Sequence, residues 1–223
     1  MAGTGSGKTN GRIEKMKGKE ESVSITAPAF KTVEIEVVGT APLVVNKFSA
    51  KAREQMKASQ MAGAKKVRKA HDPKDFQACF EAARHIAEDG GWDGVTCATF
   101  RKAMIDACRL VGFPMTKAKI GFYVEPDGVD KDEGTGLVKI IGGKPEYSEM
   151  LVKPEMGGAD IRPRPMWRKW ACRVRITFDS DMFTETDIAN LLMRAGMQCG
   201  ICEGRPSSKS GGMGWGLFKI KGK

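Results

Sequence analysis

At 223 residues, 41% hydrophobic and 29% charged, the chain can bury a core, is not disordered by composition, and suits one large domain with insertions better than two large domains. Lys and Arg number 37 against 27 Asp and Glu, a net charge of +10, so polyanions, meaning nucleic acid or an anionic membrane surface, are the first partners to consider. No apolar run approaches the ~18 residues of a membrane helix, and the N-terminus lacks the apolar core of a secretory signal. A soluble cytoplasmic protein is expected, with its six cysteines held as buried thiols.

Residues 1 to about 30 are rich in Gly, Lys, Ser and Thr and read as a flexible basic tail before a single domain spanning 31–223. In Thr32–Val38, Val33, Ile35 and Val37 alternate with Thr32, Glu34 and Glu36 as a half-buried strand requires, and Gly39 ends it. From Asn46 to Ala70, Lys47, Lys51, Arg53, Lys57, Lys65, Lys66, Arg68 and Lys69 face a single acid, Glu54, with few large apolar residues. That composition suits an exposed arm. Asp72-Pro73 opens a helix carrying Phe76, Cys79, Phe80, Ala83 and Ile86 at helical spacing, and Gly90-Gly91 stops it. A second helix over about Ala98–Val111 puts Phe100, Met104, Ala107, Cys108 and Val111 on one face, with Gly112 just past its end.

Lys117–Val124 alternates as a second strand, and the acidic loop Glu125–Glu133 follows. Leu137–Ile141 and Met150–Lys153 have the composition of a small hairpin. Trp170–Phe178 is the clearest strand, with Trp170, Cys172, Val174, Ile176 and Phe178 on its buried side and Arg173 and Arg175 opposite. Thr184–Asp187 resembles a capping box before the stripe Ile188, Leu191, Leu192 and Ala195, closed by Gly196. A last strand covers about Trp215–Ile220. With insertions at about 46–96 and 125–169 set aside, the order is strand, helix, strand, strand, helix, strand. That is an α+β, ferredoxin-like (split βαβ, RRM-like) core, with both helices on one face of a four-stranded antiparallel sheet. Its other face is left free, in many such folds for single-stranded nucleic acid.

Ala2–Thr9 matches a relaxed P-loop, but no buried strand precedes it and Asn10-Gly11 is a poor helix start, so it lacks what cradles phosphate. Cys199 and Cys202 have CxxC spacing without a second pair, so buried thiols are expected and no metal or cofactor. His71 and His85 belong to no recognisable triad. The basic constellations say more. Arg162, Arg164, Arg168, Lys169, Arg173 and Arg175 fall between Ile161 and Arg175 without an acid, interleaved with Trp167 and Trp170. Arg offers forked donors to phosphate and Trp a stacking plane, and Trp167 is the stacking candidate because alternation buries Trp170. The lysines of the 46–70 arm suit backbone phosphates. Gly200–Gly216 combines six glycines with Arg205 and Lys209, allowing close approach of N–H groups to phosphate.

In order along the chain stand the first strand with Gly39–Phe48, a long basic insertion before the Phe100 helix, the Trp170–Phe178 strand with its capped helix, and Gly204-Arg-Pro206 leading to Gly212–Gly216. In these the sequence resembles the RAMP superfamily, in particular the backbone subunits of CRISPR effector complexes. The resemblance implies a modified ferredoxin-like core with finger and thumb insertions. It further implies a mostly non-catalytic subunit that lies along single-stranded RNA, grips its backbone through basic residues, and packs head to tail with copies of itself or within a larger ribonucleoprotein. The expected function is therefore single-strand binding, RNA before DNA. The alternatives are a RAMP-type metal-independent endoribonuclease using His71 or His85, and a stand-alone viral or mobile-element single-stranded DNA binder.

Overall fold

The computed structural model describes residues 26–48, 50–61, 73–152, 160–209 and 212–222, with the side chains of 50–52 and 152 outside that set. The P-loop-like run at 2–9, His71, and Lys65, Lys66, Arg68 and Lys69 of the basic arm lie outside the described residues. In chain order the elements are β1 (Phe30–Gly39), β2 (Leu43–Val44), α1 (Ala50–Met61), α2 (Phe76–Ala82), β3 (Gly94–Thr96), α3 (Cys97–Cys108), α4 (Met115–Gly121) and β4 (Phe122–Glu125). They continue with β5 (Gly128–Val129), β6 (Gly136–Lys139), β7 (Glu146–Val152), β8 (Asp160–Trp167), β9 (Ala171–Asp179), α5 (Glu185–Arg194) and β10 (Phe218–Ile220).

The largest sheet runs β10-β1-β9-β4, antiparallel at every pairing. β1 and β9 pair along their length, from Phe30 opposite Asp179 to Val38 opposite Ala171. Because side chains alternate across a strand, one register sends Ile35, Val37, Cys172, Val174, Ile176, Phe178, Phe122 and Val124 to one face. There they join Phe100, Met104, Ile188 and Leu192 of α3 and α5 in a continuous core. Phe218 sits edge-on to Phe100 and Trp170, at 5.7 and 6.0 Å between ring centroids. Each large side chain withdrawn from water here contributes about 1.5–3 kcal/mol.

The helices follow from their own sequence. α5 begins at a capping box: Asp187 N donates to Thr184 Oγ1 at 3.1 Å, and Thr184 N donates to Asp187 Oδ2 at 2.9 Å. It does not stop at Gly196, as the sequence suggests. One π-turn over Ala195–Cys199 carries the chain to Gly200, where φ is 67°. α3 matches its expected range, ending in a 3-10 turn capped by Gly112 at φ 69°.

Three expected elements are corrected. Lys117–Val124 is a strand only from Phe122. Met115–Gly121 is α4, begun by Pro114, whose carbonyl accepts from Lys117 N and Ala118 N, and Ile120, expected inside, is exposed. α2 ends at Ala82, so Ile86 and Ala87 form isolated bridges to Asp93 and Asp130 instead of a last helical turn. The expected hairpin does not form, since β6 pairs with β3 and β5 while β7 pairs with β8. Two smaller antiparallel sheets result, β2-β8-β7 and β3-β6-β5. The described chain is thus a mixed α+β structure built on three antiparallel sheets.

Candidate nucleic-acid interface

Among the singled-out basic residues whose side chains are described, Lys47, Arg53, Arg162, Arg164, Arg168 and Arg175 already hold an acid, and the acidic loop after β4 supplies the partners of three of them. Lys47 is only 6% exposed, and its Nζ lies 2.7 Å from Asp130 Oδ1 and 2.6 Å from Asp132 Oδ2. Burial favours its neutral amine, but the two carboxylates outweigh that and raise its pKa above the ordinary lysine value. Asp130 also accepts from the amides of Asp132 and Glu133 and lies 2.9 Å from His85 Nδ1. Although burial acts the other way, Lys47, these amides and His85 hold its carboxyl down at about 2. Arg53 pairs with Glu133 at 2.7 Å, and Arg175 reaches Pro126 O and Asp127, at 2.6 and 3.3 Å. Arg175 Nε is buried without a hydrogen-bond partner among the described residues.

The β8 arginines are similarly engaged. Arg162 bonds Asp160 at 2.9 Å, and the buried Arg164 bonds Glu203 at 2.6 Å, tying β8 to the glycine-rich loop. Arg168 pairs with Glu146 at 2.8 Å, with both side chains exposed. Lys47 and Arg164 are therefore corrected from phosphate ligands to buried ion-pair members, because a phosphate would have to displace a carboxylate already in place. Lys57, Lys169, Arg173 and Lys209 are exposed and form no ion pair among the described residues. Arg205 donates to Cys202 O at 2.9 Å. The Lys51 side chain is outside the described set.

Trp167 is also corrected. It is 2% exposed and its Nε1 donates to Gly143 O at 3.1 Å, so its ring is spent on the core and cannot stack on a base. Trp170 is buried as alternation requires, donating to Ala41 O at 2.8 Å. It fills the space beside Gly39, where an added Cβ would sit 2.1 Å from its Nε1.

The glycine-rich loop uses its glycines on itself. A Cβ on Gly212 would meet Arg205 O at 2.1 Å, and one on Gly216 would meet Ile201 O at 1.9 Å; both residues have left-handed φ. The N–H groups of Met213 and Trp215 go to Gly204 O, and that of Gly216 to Pro42 O. The expected phosphate cradle is thus largely consumed by internal hydrogen bonds. Burial pushes the Cys202 thiol up to about 12 and raises Cys199 as well. No cluster suited to a metal ion occurs among the described residues.

What remains is the face of the main sheet turned away from α3 and α5. At one end Phe30, on β1, and Tyr123, on β4, are 51% and 47% exposed and meet edge-to-face at 6.3 Å. Beneath them Thr32 and Thr177 hydroxyls lie 2.6 Å apart, and Thr177 donates to Glu125 at 2.6 Å. At the other end Arg173 and Lys219 are exposed and unpaired among the described residues, beside the Lys221–Glu36 pair at 2.8 Å, and the exposed Lys169 comes just before β9. Phe30 and Tyr123 were not singled out by sequence. Their signal is an aromatic on the polar side of an alternating strand, and it was obscured because Phe30 lies at the tail boundary. No protein-family model matches the chain, and no curated protein matches it. No described helix is long and apolar enough to cross a membrane.

Proposed function

We propose that the chain is a non-enzymatic single-strand nucleic-acid-binding protein, RNA before DNA, that lays the strand across the uncovered sheet face and assembles with further copies along it. The observation that carries this reading is the occurrence, on that one face, of the exposed Phe30–Tyr123 pair together with Arg173 and Lys219, which have no ion pair among the described residues. An aromatic plane stacks on any base, and the cations take up backbone charge. Phe30 and Val38 are eight residues apart, about 26 Å at the rise of a strand, which gives room for several nucleotides. The sheet order supports a ferredoxin-like core: counting β1, β4, β9 and β10 as strands one to four, the first and third lie in the middle. The RAMP-like elaboration rests on the loose sequence resemblance.

Binding of a labelled single-stranded RNA, followed by anisotropy across a salt series, tests the reading. Each phosphate neutralised contributes about −0.7 to the slope of log affinity against log salt. Replacing Arg173 and Lys219 by alanine together should therefore flatten the slope by about 1.4. Absence of binding at low salt, or an unchanged slope in the double variant, would contradict it.

A second reading, a metal-independent endoribonuclease, has one observation in its favour: Asp130 orients the His85 ring, which lines a polar cavity. RNA cleavage by the wild type that disappears in His85→Ala would replace binding by catalysis.

A further inference from the structure

A polar cavity of about 300 Å³ lies between the end of β2, the His85 turn, the start of α3 and the glycine-rich loop. We propose that it receives one nucleobase swung out of a bound single strand, an inference that rests on the strand-binding reading above. Val45 and Val95, both buried, give it apolar walls. Its polar lining comes from Asn46, His85, Thr96, Thr99, Glu203 and Arg205. Several of these are only half used by the protein. His85, 9% exposed, gives Nδ1 to Asp130, while Nε2 has no partner among the described residues. Thr96 precedes α3 but does not cap it; its hydroxyl and that of Thr99 bond each other at 2.8 Å. Glu203 meets Arg164 through Oε2, and Arg205 bonds Cys202 O through Nη1, so each keeps a second polar atom.

The charge of the lining selects among ligands. Glu203 places a carboxylate on the wall, which works against a phosphate, whereas hydroxyls, an amide, an imidazole and a guanidinium beside that carboxylate offer donors and acceptors together. Such a mixture between apolar walls suits a neutral heterocycle, which extruded bases present through their hydrogen-bonding edge. The volume is at the low end for small-molecule sites, appropriate to one ring system. Cys202, also on the lining, is the sole non-glycine among the described residues with a left-handed φ, 61°.

The test compares a short uridine strand with an abasic strand of the same length, on the wild type and on Asn46→Ala/Thr99→Val. The wild type should prefer the base-bearing strand by about tenfold or more, and the variant should lose about fivefold of that preference, as expected for a hydrogen bond or two. A wild type indifferent to the bases, or a variant with the same preference as the wild type, overturns the base pocket while leaving strand binding intact. If neither strand binds, the strand-binding reading falls and the pocket with it. Should the double variant lose its thermal transition, Thr99→Val alone, matched in shape, repeats the comparison with the same criteria.

Discussion

Lys47, Asp130 and His85 come together from the end of β2, the loop after β5 and the turn after α2, so the cluster fastens three segments that secondary structure leaves apart. Asp130 is depressed from 3.8 to about 2, and its side chain is fully buried. A lowered carboxylate stabilises the fold above its unfolded pKa and stops doing so as pH falls through the folded value. Its contribution, about 2 kcal/mol, should therefore be complete at neutral pH and disappear between about pH 4 and 2. Asp130→Asn leaves Lys47 buried with Asp132 alone and should cost about 3 kcal/mol at neutral pH. In denaturant melts, the variant should then lose less stability than the wild type between neutral and acid pH; equal losses would exclude Asp130 as the titrating group. None of this was legible in the sequence, where Lys47 belongs to a basic run and Asp130 to an acidic loop 83 residues away. Local composition records charge but not which distant segment neutralises it. Trp167 failed for a related reason: an indole beside arginines looks the same in sequence whether it faces a base or a carbonyl.

Elements with one dominant period were legible. β1, β9, α3 and α5 each carry an uninterrupted apolar pattern, and the Thr184–Asp187 capping box forms with both hydrogen bonds. Thr184→Ala should lower stability by about 1 kcal/mol, the usual cost of losing an N-cap, measured by denaturant midpoint; no change would mean the α5 start is held by packing alone. The missed elements share physical reasons. β8 contains Pro163 and Pro165, which argue against a strand. Pro165 turns its carbonyl to Val45 N at 3.1 Å, so its missing N–H would face that same side, where β2 pairs only with Met166 and Trp167. α4 was hidden because Ala118, Ile120 and Phe122 imitate alternation, whereas Pro114 starts a helix that leaves Ile120 in solvent. β2, β3 and β5 are two or three residues long, and at that length tertiary pairing rather than local preference makes a strand.

Across the whole molecule the excess of ten positive charges is distributed differently from what the sequence suggests. The acidic loop folds back on Lys47, Arg53 and Arg175, and Glu203 takes Arg164, so much of the conspicuous basic character is internal. The exposed cations near the main sheet that have no ion pair among the described residues are few: Arg173 and Lys219, which share the uncovered face with the two aromatics, and Lys169 just before β9. The strand is therefore proposed to lie on the sheet rather than against Trp167, with one base reaching the cavity beside the glycine-rich loop. The most direct measurement is ultraviolet crosslinking of the full chain to a uridine strand, with the modified peptides mapped by mass spectrometry. Strand binding on the sheet predicts crosslinks on the β1 and β4 peptides at Phe30 and Tyr123, lost when both are replaced by alanine. Crosslinks on the β1 and β4 peptides that survive that replacement, or crosslinks that fall only on the α3–α5 face, would contradict strand binding on the sheet.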